Sequence, residues 1–149
     1  MFSESSPYSA PFYLLRSHED CEQCGTSCRV VALVSGDEEP LMFSFISSMP
    51  DDFLLTVTAI HPDYELAFVE IAETSYYCNA CKCGAHFDDF ALFCEPGGAF
   101  FPTEDEEAAR IDVIKLPFEG TYPFTCSPGM GTGDLILEQG KHVKLSEIK

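Results

Sequence analysis

Two short cysteine-rich segments, CEQCG at residues 21–25 and CNACKCG at residues 78–84, decide the fold of this chain. Each places a glycine directly after a cysteine, which relieves crowding where a tight turn ends. In such a turn the backbone N–H groups point at two sulfurs, and two turns together supply four sulfur ligands to one tetrahedral ion. The pattern therefore predicts a zinc ribbon made of two zinc knuckles.

The first pair of ligands follows from the C-x-x-C spacing that is standard for structural zinc sites. The second segment is ambiguous, because its first two cysteines have the better spacing whereas its last two carry the glycine where the first turn has it. We favour the last two. The predicted site is one structural Zn²⁺ with four cysteine ligands: Cys21, Cys24, Cys81 and Cys83.

Two rival ligands stay open for the second turn. Cys78 would restore a C-x-x-C spacing with Cys81, and His86 lies three residues past Cys83 and could replace a cysteine. Imidazole nitrogen and thiolate sulfur are both ordinary zinc ligands, so residue type alone does not separate these choices.

The alternative to a metal site is a disulfide framework, since eight cysteines would suit a small secreted domain. The first residues, however, show neither the basic nor the apolar part of a signal peptide. A chain of 149 residues with 46% hydrophobic content also buries a core without disulfides. We therefore expect a cytoplasmic protein with reduced thiols. The cysteines outside the site would then be free or buried: Cys28, Cys94, Cys126 and, unless it is a ligand, Cys78.

The length predicts one domain over residues 12–149, after a loose or surface-lying segment at residues 1–11. No apolar run approaches the length of a membrane span. Twenty-five acids against eight bases give a net charge of −17, which disfavours nucleic acid as a direct ligand. The same charge suits a basic protein partner. The acids cluster at residues 37–39 and 104–107, and no membrane contact is expected.

The residue pattern predicts an α+β fold: a small strand-rich domain with a zinc-ribbon substructure and two or three short helices. The β-branched run at residues 29–34 predicts a strand, and residues 66–77 predict one strand running into the second knuckle. Apolar residues at helical spacing predict a helix over residues 52–61. Shorter helices are expected around residues 103–110 and 134–142.

Three blocks resemble a group of uncharacterised bacterial zinc-ribbon proteins: TSYYCNACKCGA at residues 74–85, DFALF at 89–93 and EPGGAFF at 95–101. That group pairs an N-terminal C-x-x-C with the pattern Y-x-N-x-C-x-x-C-G-A-x-x-G-D-F-F-L-H. The resemblance puts Asn79 at the family asparagine, which implies Cys81 and Cys83 as ligands. This chain departs from that pattern in three ways. The spacing between the cysteines of the second pair is one residue shorter, Asp88 replaces a glycine, and Phe93 replaces a histidine. The resemblance implies no activity.

No catalytic constellation stands out. Asp88 and Asp89 follow the second turn, but neighbouring residues of a strand point to opposite faces and would not converge on one substrate atom. We expect a non-enzymatic, zinc-stabilised protein that binds a basic protein through an acidic surface. A concrete example of such a protein would be an immunity or antagonist protein that neutralises a toxin or nuclease. The alternatives are a zinc- or thiol-dependent enzyme or redox factor, and a regulatory adaptor.

Overall fold

The computed structural model describes residues 5–70, 73–129 and 131–148. Within them the chain is rich in strands and has four short α-helices, whereas the sequence predicts two or three. The strands are β1 (Ser6–Ser9), β2 (Phe12–Asp20), β3 (Ser27–Ser35), β4 (Leu41–Ser48), β5 (Tyr64–Val69), β6 (Thr74–Asn79), β7 (Asp112–Lys115), β8 (Thr121–Gly129) and β9 (Lys141–Val143). The helices are α1 (Asp51–Ile60), α2 (Asp89–Phe93), α3 (Asp105–Ala108) and α4 (Gly133–Gln139), and a short 3-10 helix spans Leu145–Glu147.

Seven strands form one sheet in the order β1-β8-β4-β3-β2-β7-β9, and β5 pairs with β6 in a separate hairpin. All neighbours in the large sheet are antiparallel except β7 and β9. Strand β3 lies near the middle of the sheet and pairs with β2 over its whole length, from Phe12 opposite Ser35 to Asp20 opposite Ser27. The first cysteine segment is therefore the loop of the β2–β3 hairpin.

The large sheet buries apolar side chains on both of its faces. Along β3, Val31 and Leu33 belong to one core cluster, whereas Val30, Ala32 and Val34 belong to a second. Successive side chains of a strand point to opposite faces, so an uninterrupted apolar run is what a strand covered on both faces needs. This explains why the apolar residues 30–34 do not alternate with polar ones.

Helix α1 covers the first face of the sheet. Its buried residues Phe53 and Val57 pack into the first core cluster, and Phe53 stacks on Phe118 with ring centroids 4.1 Å apart. The helix predicted over residues 52–61 is confirmed. The helices predicted around residues 103–110 and 134–142 correspond to α3 and α4, both of which are shorter than predicted. None of the helices in the described part of the chain has the length and apolar character needed to cross a membrane.

The single strand predicted over residues 66–77 is wrong. The structure has the antiparallel hairpin β5–β6 instead, with Tyr64 opposite Asn79 and Val69 opposite Thr74. Glu73 has a φ of 54° and its N–H donates to the carbonyl of Glu70, so the chain reverses there without a glycine or proline. Ile71 lies outside the described residues. The turn was missed because its described residues lack the usual turn-forming types.

Part of the N-terminal segment forms a strand. Within residues 1–11, which are predicted to be loose or to lie along the surface, Ser6–Ser9 forms β1 and pairs with β8 at the edge of the large sheet, whereas residues 1–4 lie outside the described residues. Its residue Tyr8 packs against Phe43, with ring centroids 4.6 Å apart. Local sequence patterns do not reveal this pairing, because β8 lies more than a hundred residues further along the chain.

Helix α2 was not predicted, and it is anchored by a buried carboxylate. Asp88 is the N-cap of α2 and accepts the Phe90 N–H at 3.1 Å, so it does not lie on a strand as expected. Asp89 is only 4% exposed, and its Oδ2 accepts the N–H of Phe45 at 2.8 Å, where β4 has an irregular register. The hydroxyl of buried Tyr76 accepts the Asp89 N–H and donates to Asp88. These bonds fix α2 against β4 and β6.

Burial raises the pKa of Asp89 to about 7. In the unfolded chain an aspartate ionises at a pH of about 4, so the folded state retains its proton over a range in which the unfolded state has lost it. The free energy of unfolding should therefore fall by on the order of 4 kcal/mol as the pH rises from about 4 to about 7, and it should stay low above that.

Asp89→Asn should raise the melting temperature at pH 8, because an amide oxygen still accepts the Phe45 N–H without a buried charge. The gain should shrink as the pH is lowered towards 5. Asp37→Asn removes the same charge from an exposed turn and serves as the control. Thermal unfolding between pH 5 and 8 measures both, and a gain for Asp89→Asn that does not depend on pH would contradict the prediction.

Candidate metal centre

The first cysteine turn closes the β2–β3 hairpin. The N–H of Cys21 donates to the carbonyl of Thr26 at 2.9 Å, and the N–H of Gly25 donates to the carbonyl of Cys21 at 2.8 Å. Gly25 has a φ of 75°, in the left-handed region that side chains disfavour. A glycine is therefore required directly after Cys24 for the turn to close.

The second cysteine turn follows β6 and repeats this pattern with one residue fewer. The N–H of Cys81 donates to the carbonyl of Ala85 at 2.8 Å, and the N–H of Gly84 donates to the carbonyl of Cys81 at 2.9 Å. Gly84 has a φ of 99°. The shorter C-x-C-G spacing is thus accommodated by a turn that closes one residue earlier, with the glycine again after the second cysteine.

The structure brings the four sulfurs of the two turns together. The Sγ atoms of Cys21 and Cys83 lie 3.7 Å apart, and those of Cys24 and Cys81 lie 3.5 Å apart. All four sulfurs lie within 4.8 Å of one another. A tetrahedral ion with Zn–S bonds of 2.3 Å needs sulfurs about 3.8 Å apart. The cluster could therefore hold a metal ion of that size.

Hydrogen bonds within the turns favour the thiolate form that binds metal. The hydroxyl and the backbone N–H of Thr26 lower the pKa of Cys24 to about 6, and the backbone N–H of Cys83 lowers that of Cys81. At Cys83 the backbone N–H of Ala85 acts in the same direction, but the hydrogen bond with Cys81 and burial raise the pKa to about 12. Four sulfurs this close do not all ionise until a cation neutralises them, which fits a metal site.

The rival ligands do not join the cluster. Cys78 is fully buried, and its Sγ donates to the carbonyl of Tyr76 at 3.4 Å. His86 directs its Nε2 towards Glu65, at 3.8 Å from the carboxylate oxygen. Each therefore has a different partner, and the described geometry favours Cys83 as the fourth ligand.

None of the eight cysteines forms a disulfide, and four of them lie outside the cluster. Cys28 lies in β3 beside the first turn, and its Sγ donates to the carbonyl of Thr26 at 3.6 Å. Cys94 is exposed beyond α2, whereas Cys126 is buried with its Sγ 4.0 Å from the hydroxyl of Tyr8. Burial raises the pKa of Cys126 to about 11, so this thiol stays protonated at neutral pH.

A groove of about 720 Å³ runs beside the cluster. Three cysteines of the cluster line one side of the groove, and Phe87, Ala91 and Leu92 supply an apolar part of the lining. The carboxylates along the groove come from three different segments of the chain: Asp20, Glu22, Asp88 and Glu95. None of its described lining residues is a lysine or arginine. Sequence reasoning missed this groove because its acids are scattered along the chain.

Three carboxylates of the groove lie close enough to Glu19, in β2, to affect its pKa. The pKa of Glu19 is raised chiefly by burial, which outweighs a hydrogen bond from the Ala99 backbone N–H. The negative charges of Asp20, Glu22 and Glu95 raise it further. Four thiolates around a divalent cation would add a net charge of −2 beside them, so the groove is a strongly anionic surface.

No protein-family model, curated protein or solved structure matches this chain. The resemblance to bacterial zinc-ribbon proteins therefore remains a prediction, and function has to be argued from the site itself.

The purified protein should contain about one zinc per chain. Cys81→Ser should abolish stoichiometric zinc and lower the melting temperature by on the order of 10 °C, because an ion that binds only the folded state stabilises it. Cys94→Ser changes an exposed thiol outside the cluster and should leave both quantities unchanged. Elemental analysis and thermal unfolding with and without a chelator measure these outcomes. A metal-free wild-type protein, or equal zinc loss in both variants, would refute the assignment.

Proposed function

We propose that Cys21, Cys24, Cys81 and Cys83 bind one structural Zn²⁺ and form the core of a zinc-ribbon substructure. The supporting observation is the set of four sulfurs at metal-ligand spacing on two turns of matching hydrogen-bond pattern. The ion would join the β2–β3 hairpin of the large sheet to the end of the separate β5–β6 hairpin. Zinc in this position would stabilise the contact between the two sheets.

We propose no catalytic role for this ion. Four thiolates complete a tetrahedral shell, so no position is open for water or substrate, and thiolate donation weakens the Lewis acidity of zinc. Zinc-dependent hydrolysis that disappears on chelation while the fold persists would refute this view.

The function that the surface supports best is binding of a basic protein partner. One observation carries it: the groove beside the metal centre combines four carboxylates with an apolar lining and no lysine or arginine among its described residues. A lysine or arginine side chain would find opposite charge there and a surface for its aliphatic stem. The net charge of −17 would speed the encounter. An immunity or antagonist protein that occupies the cleft of a basic toxin or nuclease in the cytoplasm is the concrete form we propose.

A thiol-dependent redox factor is the second candidate. Cys24 favours it, because this exposed thiol has a pKa lowered to about 6 by hydrogen bonds from Thr26. A low-pKa, accessible thiolate is a typical nucleophile. Zinc occupancy separates the two candidates, since a thiolate tied up in a full zinc shell is not available for exchange.

The partner hypothesis predicts a binding defect that depends on position. A partner isolated from the native host would be tested against three double charge reversals of equal net change. Glu22→Lys with Glu95→Lys changes the groove, Glu38→Lys with Glu39→Lys changes the turn after β3, and Glu104→Lys with Glu106→Lys changes the start of α3.

All three reversals should slow association at low salt, and added salt should reduce the effect because it screens charges beyond about 10 Å. Only the groove reversal should speed dissociation, by roughly tenfold or about 1.4 kcal/mol. Association and dissociation rates against ionic strength are the measurement, with zinc content checked in each variant. Rates that respond neither to salt nor to any reversal would mean that the acidity serves solubility alone.

A further inference from the structure

Asn79 is the last residue of β6 and lies two positions before Cys81. Its side chain is almost completely buried, with 1% of its surface exposed. The side-chain Oδ1 accepts the N–H of Val31 at 2.8 Å, and the side-chain Nδ2 donates to the carbonyl of Val31 at 3.0 Å. One amide group thus engages both polar groups of a single residue in β3.

Val31 needs such a partner because the sheet leaves it without one. On one side, β3 pairs with β2 over its full length, but on the other side the register with β4 covers only Leu33 to Ser35. The N–H and carbonyl of Val31 point to the same side as those of Leu33, which pairs with Phe43 in β4. The Asn79 amide therefore continues the hydrogen-bond ladder beyond the point where β4 stops pairing.

The main chain of Asn79 closes the second cysteine turn. Its carbonyl accepts the N–H of Phe87 at 2.9 Å, and Ala80 forms a bridge with His86 across the turn. The side chain and the carbonyl of one residue thus connect the whole second turn to β3, the strand that leaves the first turn at Ser27.

We propose that Asn79 is a positioning residue for the metal centre. Its side-chain amide fixes the position of the second cysteine turn relative to the first, so that the four sulfurs reach metal-ligand spacing before the ion binds. This inference rests on the proposed zinc site. A polar contact of the protein, and not metal binding, would then set the distances between the four sulfurs. A strand edge and a turn that are both held by hydrogen bonds leave the sulfurs little freedom to move.

A structural role alone would also make Asn79 important, since removing it leaves buried polar groups of Val31 unpaired. The two roles differ in what they do to metal affinity. Loss of general stability affects zinc binding only by depopulating the folded state, whereas loss of positioning weakens binding within the folded protein.

The test compares Asn79→Ser with Val57→Ala, a core substitution in α1 that does not touch the turns. Both are titrated with Zn²⁺ against a competing chelator, at a temperature at which the metal-free proteins are folded. Asn79→Ser should weaken zinc binding by on the order of 10- to 100-fold, which is the usual effect of changing a residue that orients the metal ligands. Val57→Ala should leave the affinity within about twofold, even where its loss of stability is as large. Equal affinity changes in the two variants would overturn the inference.

A second measurement covers the case in which Asn79→Ser does not fold without metal. In the reduced, metal-free wild-type protein, hydrogen exchange by NMR should show the Val31 amide and the Asn79 side-chain NH₂ to be protected. Rapid exchange at both sites would show that the contact forms only with the ion, which also overturns the inference. The Co²⁺-loaded protein provides the separate check on the proposed function: a wild-type spectrum without tetrahedral thiolate coordination would refute the zinc site itself, whatever Asn79 does.

Discussion

The close approach of four thiols is the constraint on which the candidate metal centre and the groove beside it depend. The sulfurs of Cys21 and Cys83, and of Cys24 and Cys81, face each other across two turns from different sheets. Such a cluster is unfavourable when ionised and empty, and it becomes favourable when a divalent cation neutralises it. The β2–β3 hairpin and the β5–β6 hairpin would then be joined by coordination bonds in addition to their packing.

Electrostatics links this centre to the surface around it. Zinc with four thiolates would still carry a net charge of −2, and the adjoining groove adds Asp20, Glu22, Asp88 and Glu95 without a described lysine or arginine in its lining. One wall of the groove is α2, which is held by the buried carboxylate of Asp89 on the backbone of β4. The candidate metal centre and the proposed binding surface are therefore adjacent, because cysteines of the cluster line the same groove as α2.

Several features were predictable because they depend on neighbouring residues. The glycines after Cys24 and Cys83 indicated the turns, the run at residues 29–34 indicated a strand, and the spacing of Phe53 and Val57 indicated α1. The β5–β6 hairpin was missed because the described residues of its turn include neither glycine nor proline, and Glu73 takes a positive φ instead. Helix α2 was missed because its five residues are too few for a periodic pattern, and a tertiary contact of Asp89 supports it.

The sequence by itself determined the ligand types and the conformation of the two cysteine turns, because C-x-x-C-G and C-x-C-G restrict the backbone locally. It also determined the acidity of the surface. Only the tertiary structure decided which four of eight thiols meet, since Cys78 and Cys83 differ in what surrounds them and not in chemistry. It also decided that Asn79 reaches Val31 and that scattered acids line one groove, because both arrangements follow from strand pairing between distant segments.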